Sequence, residues 1–204
     1  MARSSVNWSI HMVIAAWLFA SSAGAAIPQL DANLPIQLDA RSSDVDYKNN
    51  TLLFRTVRIS QGPLSVEADE ATATGLDFND SHWLFKGHVK ITTKDGFLKA
   101  DEARITFLLN LLSAADASGT PANFEQRSAD SLTTGRARQI EYRPSAATIK
   151  LIKEASLSDG RNDISGNTLL YNLRDQRVIA NPEDQSNEQV RITIAPKPSE
   201  AKHP

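Results

Sequence analysis

The chain contains no cysteine. That absence excludes a disulfide scaffold, a zinc ribbon, an iron–sulfur site and a thiol nucleophile together. Glycine and proline are sparse, nine of each in 204 residues, too few for a collagenous or low-complexity chain. Neither sign of charge dominates: 22 Lys and Arg stand against 24 Asp and Glu, a net of −2. A protein that grips a phosphate backbone needs a basic face, so nucleic acid is not an expected partner. Long hydrophobic runs are missing too. The longest, Met12 to Ala20, is about half of the roughly 20 apolar residues that a membrane-spanning helix needs.

That run has a telling context. Arg3 and the polar stretch Ser4 to His11 precede it, and small residues from Ser21 to Ala26 follow it. This is the order of a secretory signal, and Ala23 and Ala25 suit its small-x-small cleavage rule. Cleavage after Ala25, or one residue later after Ala26, is expected; the competing reading is a retained membrane anchor. Cutting after Ala25 removes Arg3 and no acid, leaving 21 basic residues against 24 acidic, or −3.

From Pro35 onward the dominant pattern has period two, which in a strand puts alternate side chains on one face. In the segment Trp83 to Ile91, the odd positions Trp83, Phe85, Gly87, Val89 and Ile91 are apolar or small, while Lys86, His88 and Lys90 share the other face. The alternation returns at Ile36 and Leu38, Val57 and Ile59, Leu64 and Val66, Ile105 and Phe107, Ile149 and Leu151, and Val190, Ile192 and Ile194. No stretch repeats as strongly at helical spacing. Turn residues recur at Lys48-Asn49-Asn50, Gln61-Gly62-Pro63, Asn79-Asp80-Ser81, Lys94-Asp95-Gly96, Ser158-Asp159-Gly160 and Asn181-Pro182. Short strands, each with one wet and one dry face and joined by tight turns, predict an all-β antiparallel fold of the sandwich, jelly-roll or barrel class.

An internal repeat organises these strands. Ala68-Asp69-Glu70-Ala71 recurs unchanged as Ala100-Asp101-Glu102-Ala103, and looser echoes start at Ala40, Gly135 and Gly166. Each unit reads as a strand, a corner at a small residue and a second strand, because small residues let the backbone bend where a branched side chain would crowd. The expected result is a stack of bent hairpins.

Taken in order, several segments resemble the OstA-like family of periplasmic lipopolysaccharide transport proteins, the LptA type. They are Pro35 to Ala40, Val57 to Gly62, the two Ala-Asp-Glu-Ala corners, Gly87-His88-Val89-Lys90-Ile91, Gly119 to Phe124 and Gly135 to Tyr142. The similarity runs from about Pro35 to Ile194; the family's first Gly-Asn-Val type motif reads Arg55-Thr56-Val57 here. The resemblance implies a V-shaped antiparallel β-jelly roll, or β-taco, open at both ends. It implies a signal peptide over 1–25, a lead-in over 26–34, the OstA-like domain over 35–195 and a flexible tail over 196–204. It also implies a role as a bridge component carrying lipopolysaccharide from LptC at the inner membrane to the N-terminal domain of LptD at the outer membrane. Head-to-tail self-association belongs to the same expectation. No cofactor is implied.

Elementary solvation shows why such a protein is needed. Each acyl methylene left in water costs about 0.8 kcal/mol, so a lipid with several long chains cannot cross an aqueous compartment bare. A folded-over sheet offers a lengthwise apolar groove. Its expected lining begins with Ile36, Leu38, Phe54, Ile59 and Val66, continues with Trp83, Phe85, Val89, Ile91 and Phe107, and ends with Phe124, Ile140, Tyr142, Ile149 and Tyr171. Terminal strands present unpaired backbone groups that a partner strand can extend. The expected partner edges are Ile36 and Leu38 on the LptC-facing side, and Val190, Ile192 and Ile194 on the side of LptD or the next copy.

Rival chemistry finds little support. His82 and His88 lie six residues apart with no third ligand placed by spacing, so no metal site is expected. Of the carboxylates Glu67, Asp69, Glu70, Asp101 and Glu102, the Asp-Glu pairs repeat at equivalent corners, whereas a catalytic carboxyl pair needs unlike environments. Neither a nucleophile elbow nor a phosphate-cradling glycine loop occurs, so no catalytic residue is assigned. Lys86, Lys90, Lys94 and Lys99 are expected on a solvated outer face rather than on lipid phosphates. Two alternatives stand beside the bridge reading: a membrane-anchored relative of the LptC type, and a structural envelope β-protein without lipid cargo.

Overall fold

A computed structural model of the chain describes residues 33–74, 78–128, 131–181 and 189–195. The expected signal segment, most of the lead-in and the tail lie outside these. The described chain is all β: a V-shaped antiparallel jelly roll made from one sheet. Its strands are β1 (Gln37–Asp46), β2 (Thr51–Gln61), β3 (Leu64–Thr74), β4 (Asp80–Thr92), β5 (Gly96–Leu108), β6 (Leu111–Arg127), β7 (Leu132–Arg143), β8 (Thr148–Ser158), β9 (Asn162–Asn172), β10 (Arg177–Ala180) and β11 (Arg191–Ile194). Each strand pairs with its sequence neighbours from β1 through β10. The first and last strands do not meet, so the sheet stays open at both ends.

Local chemistry accounts for the hairpins. Asp46 accepts hydrogen bonds from the Lys48 and Asn49 backbone amides and from Asn49 Nδ2, and Asp159 does the same for Arg161 and Asn162. These bonds, led by the Asn49 side chain in one case and the Asn162 amide in the other, hold both carboxyls below their ordinary pKa. The β5–β6 turn is tighter. Leu109 and Asn110 both take positive φ, 51° and 61°, the mirror-image turn whose twist matches that of paired strands. Asparagine suits that conformation and leucine does not, which is why the sequence pattern gave no turn here. Asp80 and Ser81, expected in a turn, instead open β4.

Nearly every strand is interrupted at mid-length, and the interruptions line up across the sheet as one corner. Register shifts fall between Glu67 and Glu70, Lys86 and Val89, Lys99 and Glu102, Ser118 and Ala122, Arg136 and Gln139, and Ile152 and Ala155. The even strands carry the unusual backbone: Thr56 at φ 50°, Gly87 and His88 at 74° and 46°, and Lys153 and Glu154 at 62° and 54°. The corner of β7 lies at Ala137 and Arg138, two residues beyond the repeat start expected at Gly135.

The last even strand breaks completely. β10 pairs with Leu169–Asn172 and β11 pairs with Asn162–Ser165 along the same edge of β9. Between them Asn181, at φ 46°, stands at the corner; its amide donates to Thr168 O and its Oδ1 accepts from Thr168 N. The expected Asn181-Pro182 hairpin is therefore this corner break, with Pro182 outside the described residues. Ile36 and Val190, expected within edge strands, lie one residue before β1 and β11.

Candidate functional site

The two repeated tetrads explain the corner. Asp69 Oδ2 lies 2.7 Å from His88 Nδ1 on the next strand, and Asp101 Oδ2 accepts from both the backbone amide and the hydroxyl of Thr120, at 3.1 and 3.2 Å. At the equivalent place in β7, Arg138 donates to Glu154 at 3.0 Å. In these three units the second residue of the corner thus clamps the following strand. These contacts are exposed, so each stabilises little; what they fix is where the bend falls. The hydrogen bond and charge of Asp69, helped by the charge of Asp101, raise the pKa of His88 above its ordinary value. Gly87 belongs here because a Cβ would strike the Asp69 carboxylate and its φ is +74°.

Inside the corner the residues are small. Ala68, Ala100, Ala122, Ala137 and Ala155, with Val57 and Val89, are all buried. Two sheet halves converge there, and larger side chains would force them apart. From this line the sheet opens into two walls.

The short wall runs toward the β2–β3, β4–β5, β6–β7 and β8–β9 turns. Its first inward row is a continuous ladder of paired residues: Leu38, Ile59, Val66, Ile91, Leu98, Phe124, Gly135, Leu157, Ile164 and Ile192. Gly135 keeps this row level, because the Phe124 ring occupies the space where its Cβ would stand.

The long wall runs toward the opposite turns. One row carries Phe54, Ala71, Phe85, Ala103, Ala117, Ile140, Leu151 and Leu169. The next carries Leu52, Ala73, Trp83, Ile105, Ala115, Tyr142, Ile149 and Tyr171. Aromatic rings knit it together: Trp83 stacks on Phe54, Phe78 and Phe85 with centroids 5.8, 5.2 and 5.9 Å away, and Phe78 meets Phe107 edge-on at 5.0 Å. Burial raises the Tyr142 phenol above its ordinary pKa.

All fifteen residues expected to line a groove belong to one apolar cluster on this inner face. Ile36, Leu38 and Tyr142 are half-buried; the other twelve are buried. The expected lining left out Leu98, Leu151, Leu157, Ile164 and Leu169, although all of them except Ile164 share the parity of an apolar neighbour two residues away. At the two ends the expected edge residues differ. Ile36 and Leu38 pack against the cluster, while Val190, Ile192 and Ile194 are 40%, 60% and 73% exposed.

The outer face is polar. Lys86 faces Glu70 and Glu102 across neighbouring strands, and Lys90 faces Glu67 and Lys99. Lys94 instead sits in the β4–β5 turn. His82 Nδ1 lies 3.3 Å from Thr106 Oγ1, so the two histidines engage separate partners. No group of metal-ligating side chains occurs among the described residues.

Comparison with known proteins places this architecture. A solved structure titled as LptH, the LptA-homologous periplasmic component of the lipopolysaccharide transport device of Pseudomonas aeruginosa, matches 82% of this chain and 99% of its own at 18% identity and a TM-score of 0.51. That likeness speaks for the fold. No curated protein matches in sequence. Residues 70–177, more than half of the chain, match the family described as "LptA/(LptD N-terminal domain) LPS transport protein", a transport family rather than an enzyme family. The chain belongs to the LptA/LptD N-terminal-domain family of lipopolysaccharide transport proteins.

Proposed function

We propose that this chain is a periplasmic bridge component that holds the acyl chains of lipopolysaccharide between its two walls and passes the lipid along the stack of strands. In this reading it is exported by a cleaved signal over 1–25 and receives cargo from an LptC-type partner at the β1 end. It delivers the cargo to the N-terminal domain of LptD, or to another copy, at the β10–β11 end. The observation that carries the proposal is the apolar ladder from Leu38 to Ile192, which crosses the whole sheet and is matched by the rows of the long wall.

Two physical features support transport rather than static packing. Backbone pairing joins each strand to its neighbours and never one wall to the other. The walls are therefore held together by the corner and by apolar contact, and acyl chains can replace apolar contacts with equivalent ones at small net cost. Motion along the axis also repeats the same surface at each strand, about every 4.8 Å, so a cargo meets no single deep well. The ends are complementary as well as open. β1 carries Asp39, Asp44 and Asp46 against Arg41 alone, while β10 and β11 carry Arg177 and Arg191 and no acid. Such edges favour head-to-tail strand addition and oppose pairing of like ends.

Trp83 supplies the test. The other two tryptophans, Trp8 and Trp17, fall within the proposed signal, so the chain cut after Ala25 holds one indole, within the long wall. Titration with lipopolysaccharide should shift and saturate its emission, and a detached core oligosaccharide should not. No change with lipopolysaccharide, under conditions where a known carrier responds, would defeat the proposal.

A further inference from the structure

Rows of paired residues can be followed from one end of the sheet to the other, and their ends match. The row that enters at Leu38 leaves at Ile192, and the row that enters at Val45 leaves at Val178. Val45, Ile192 and Ile194 are 38%, 60% and 73% exposed, so apolar side chains at both ends lack cover. The outer face repeats the match with charge. One outer row starts at Asp39, opposite Arg58, and ends at Arg191, opposite Ser165. On the long wall, Asp46 follows Val45 and Arg177 precedes Val178, so these two stand at the ends of the adjoining row.

Asp39 and Arg191 are both exposed, and neither has an ion-pair partner among the described residues. Arg58 is bonded instead to Glu67 at 2.7 Å, and Asp163, the acid of β9, stands opposite Thr193. Asp46 is less free, because its carboxylate accepts from the Lys48 and Asn49 amides. Backbone phase matches as well. Pairs along a row alternate between hydrogen-bonded and non-hydrogen-bonded, and the path from β1 to the shared β10–β11 edge crosses nine junctions. Nine is odd, so the outward edges at the two ends of a row offer the same kind of pair. Direction agrees too: β1 runs from the short wall to the long one, and β10 and β11 run back.

We infer that a second copy of this chain adds its β1 to the β10–β11 edge in one register, with Asp39 against Arg191 and Leu38 against Ile192 on the short wall and Val45 against Val178 on the long wall. This rests on the head-to-tail strand addition proposed above, and it names the residues that set the joint. In that register each inner row runs on across the junction, and the exposed Val45, Ile192 and Ile194 gain apolar neighbours. Apolar contact alone does not choose it. After a slip of two residues Leu38 would still meet Ile194 or Val190, but Arg41 or Gln37 would face Arg191, and Asp39 would face Thr193 or Gln189. A slip of one would turn every apolar side chain to the wrong face. The carboxylate and the guanidinium therefore select among registers that the apolar residues tolerate, which is how opposed charges fix register and exclude wrong partners.

The chain has no cysteine, so single cysteines introduced into the form cut after Ala25 report the register. A mixture of Gln37→Cys and Thr193→Cys, which would share a row, should become disulfide-linked on mild oxidation. Gln37→Cys with Ala195→Cys, two residues out of register, should not. In sedimentation at low salt, Asp39→Arg and Arg191→Asp should each weaken self-association about tenfold. Both changes in one chain should restore it to within about twofold, because every joint then holds the pair reversed. Lys99→Asp, in the middle of the same row, changes net charge as Arg191→Asp does and should leave association within about twofold. Equal linkage of the two cysteine mixtures, a double variant no better than its parts, or a Lys99→Asp loss equal to that of Arg191→Asp would overturn the inference and leave strand addition standing. An unaltered chain that stays monomeric would overturn both.

Discussion

Thr56 offers a sharp test of how the corner is built. It is a β-branched residue held at φ 50°, exposed, on the strand position opposite Asp69. The left-handed region disfavours ordinary L residues by about 1–2 kcal/mol, and β-branched side chains suffer most while asparagine is enriched there. Thr56→Asn should therefore stabilise the protein by about 1 kcal/mol, since no regular strand geometry is lost. In a chain of this size that corresponds to a rise in Tm of about 2–4 °C. Chemical denaturation should show a higher midpoint with an unchanged slope. Thr74→Asn, at an exposed regular position of β3, is the control and should cost a few tenths of a kcal/mol because asparagine suits a strand poorly. If Thr56→Asn destabilises as Thr74→Asn does, the corner backbone is not strained as described.

Three further outcomes follow from the same geometry. Gly135→Ala places a methyl group where the Phe124 ring lies, so it should destabilise by about 1–3 kcal/mol, measurable by thermal melting. His88 should titrate above the ordinary histidine range in NMR and return toward it in Asp69→Asn, because Asp69 is the leading cause of the rise. The sign follows: the clamp's contribution is complete below the unfolded histidine pKa and is lost as pH rises through the higher folded value. Ile36→Asp should weaken co-purification with an LptC-type partner while the circular dichroism spectrum stays unchanged; an unaltered yield of partner would remove the β1 end from the interface.

Much of this architecture is legible in the chain because period two is a local signal. Val57 with Ile59 and Trp83 with Phe85 declare a face without reference to any partner, and the repeated Ala-Asp-Glu-Ala marks the corner. Less local features are harder to read. At the β5–β6 turn only Asn110 hints at a reversal and Leu109 argues against one, because the backbone there is imposed by pairing of β5 with β6. The break between β10 and β11 depends on both segments sharing one edge of β9. The ladder through Leu98, Leu157 and Ile164 likewise needs the register to join residues from separate strands into one row.

The central claim is that the inner face, and only that face, meets the lipid. Strand alternation makes it testable within β4, where Phe85 and Ile91 point inward and Lys86 and Lys90 outward. A photo-crosslinking amino acid placed singly at these four positions, and irradiated in cells, should capture lipopolysaccharide from 85 and 91 but not from 86 and 90. Capture from the outward positions, or from none of the four while the variants are folded and exported, would contradict the account.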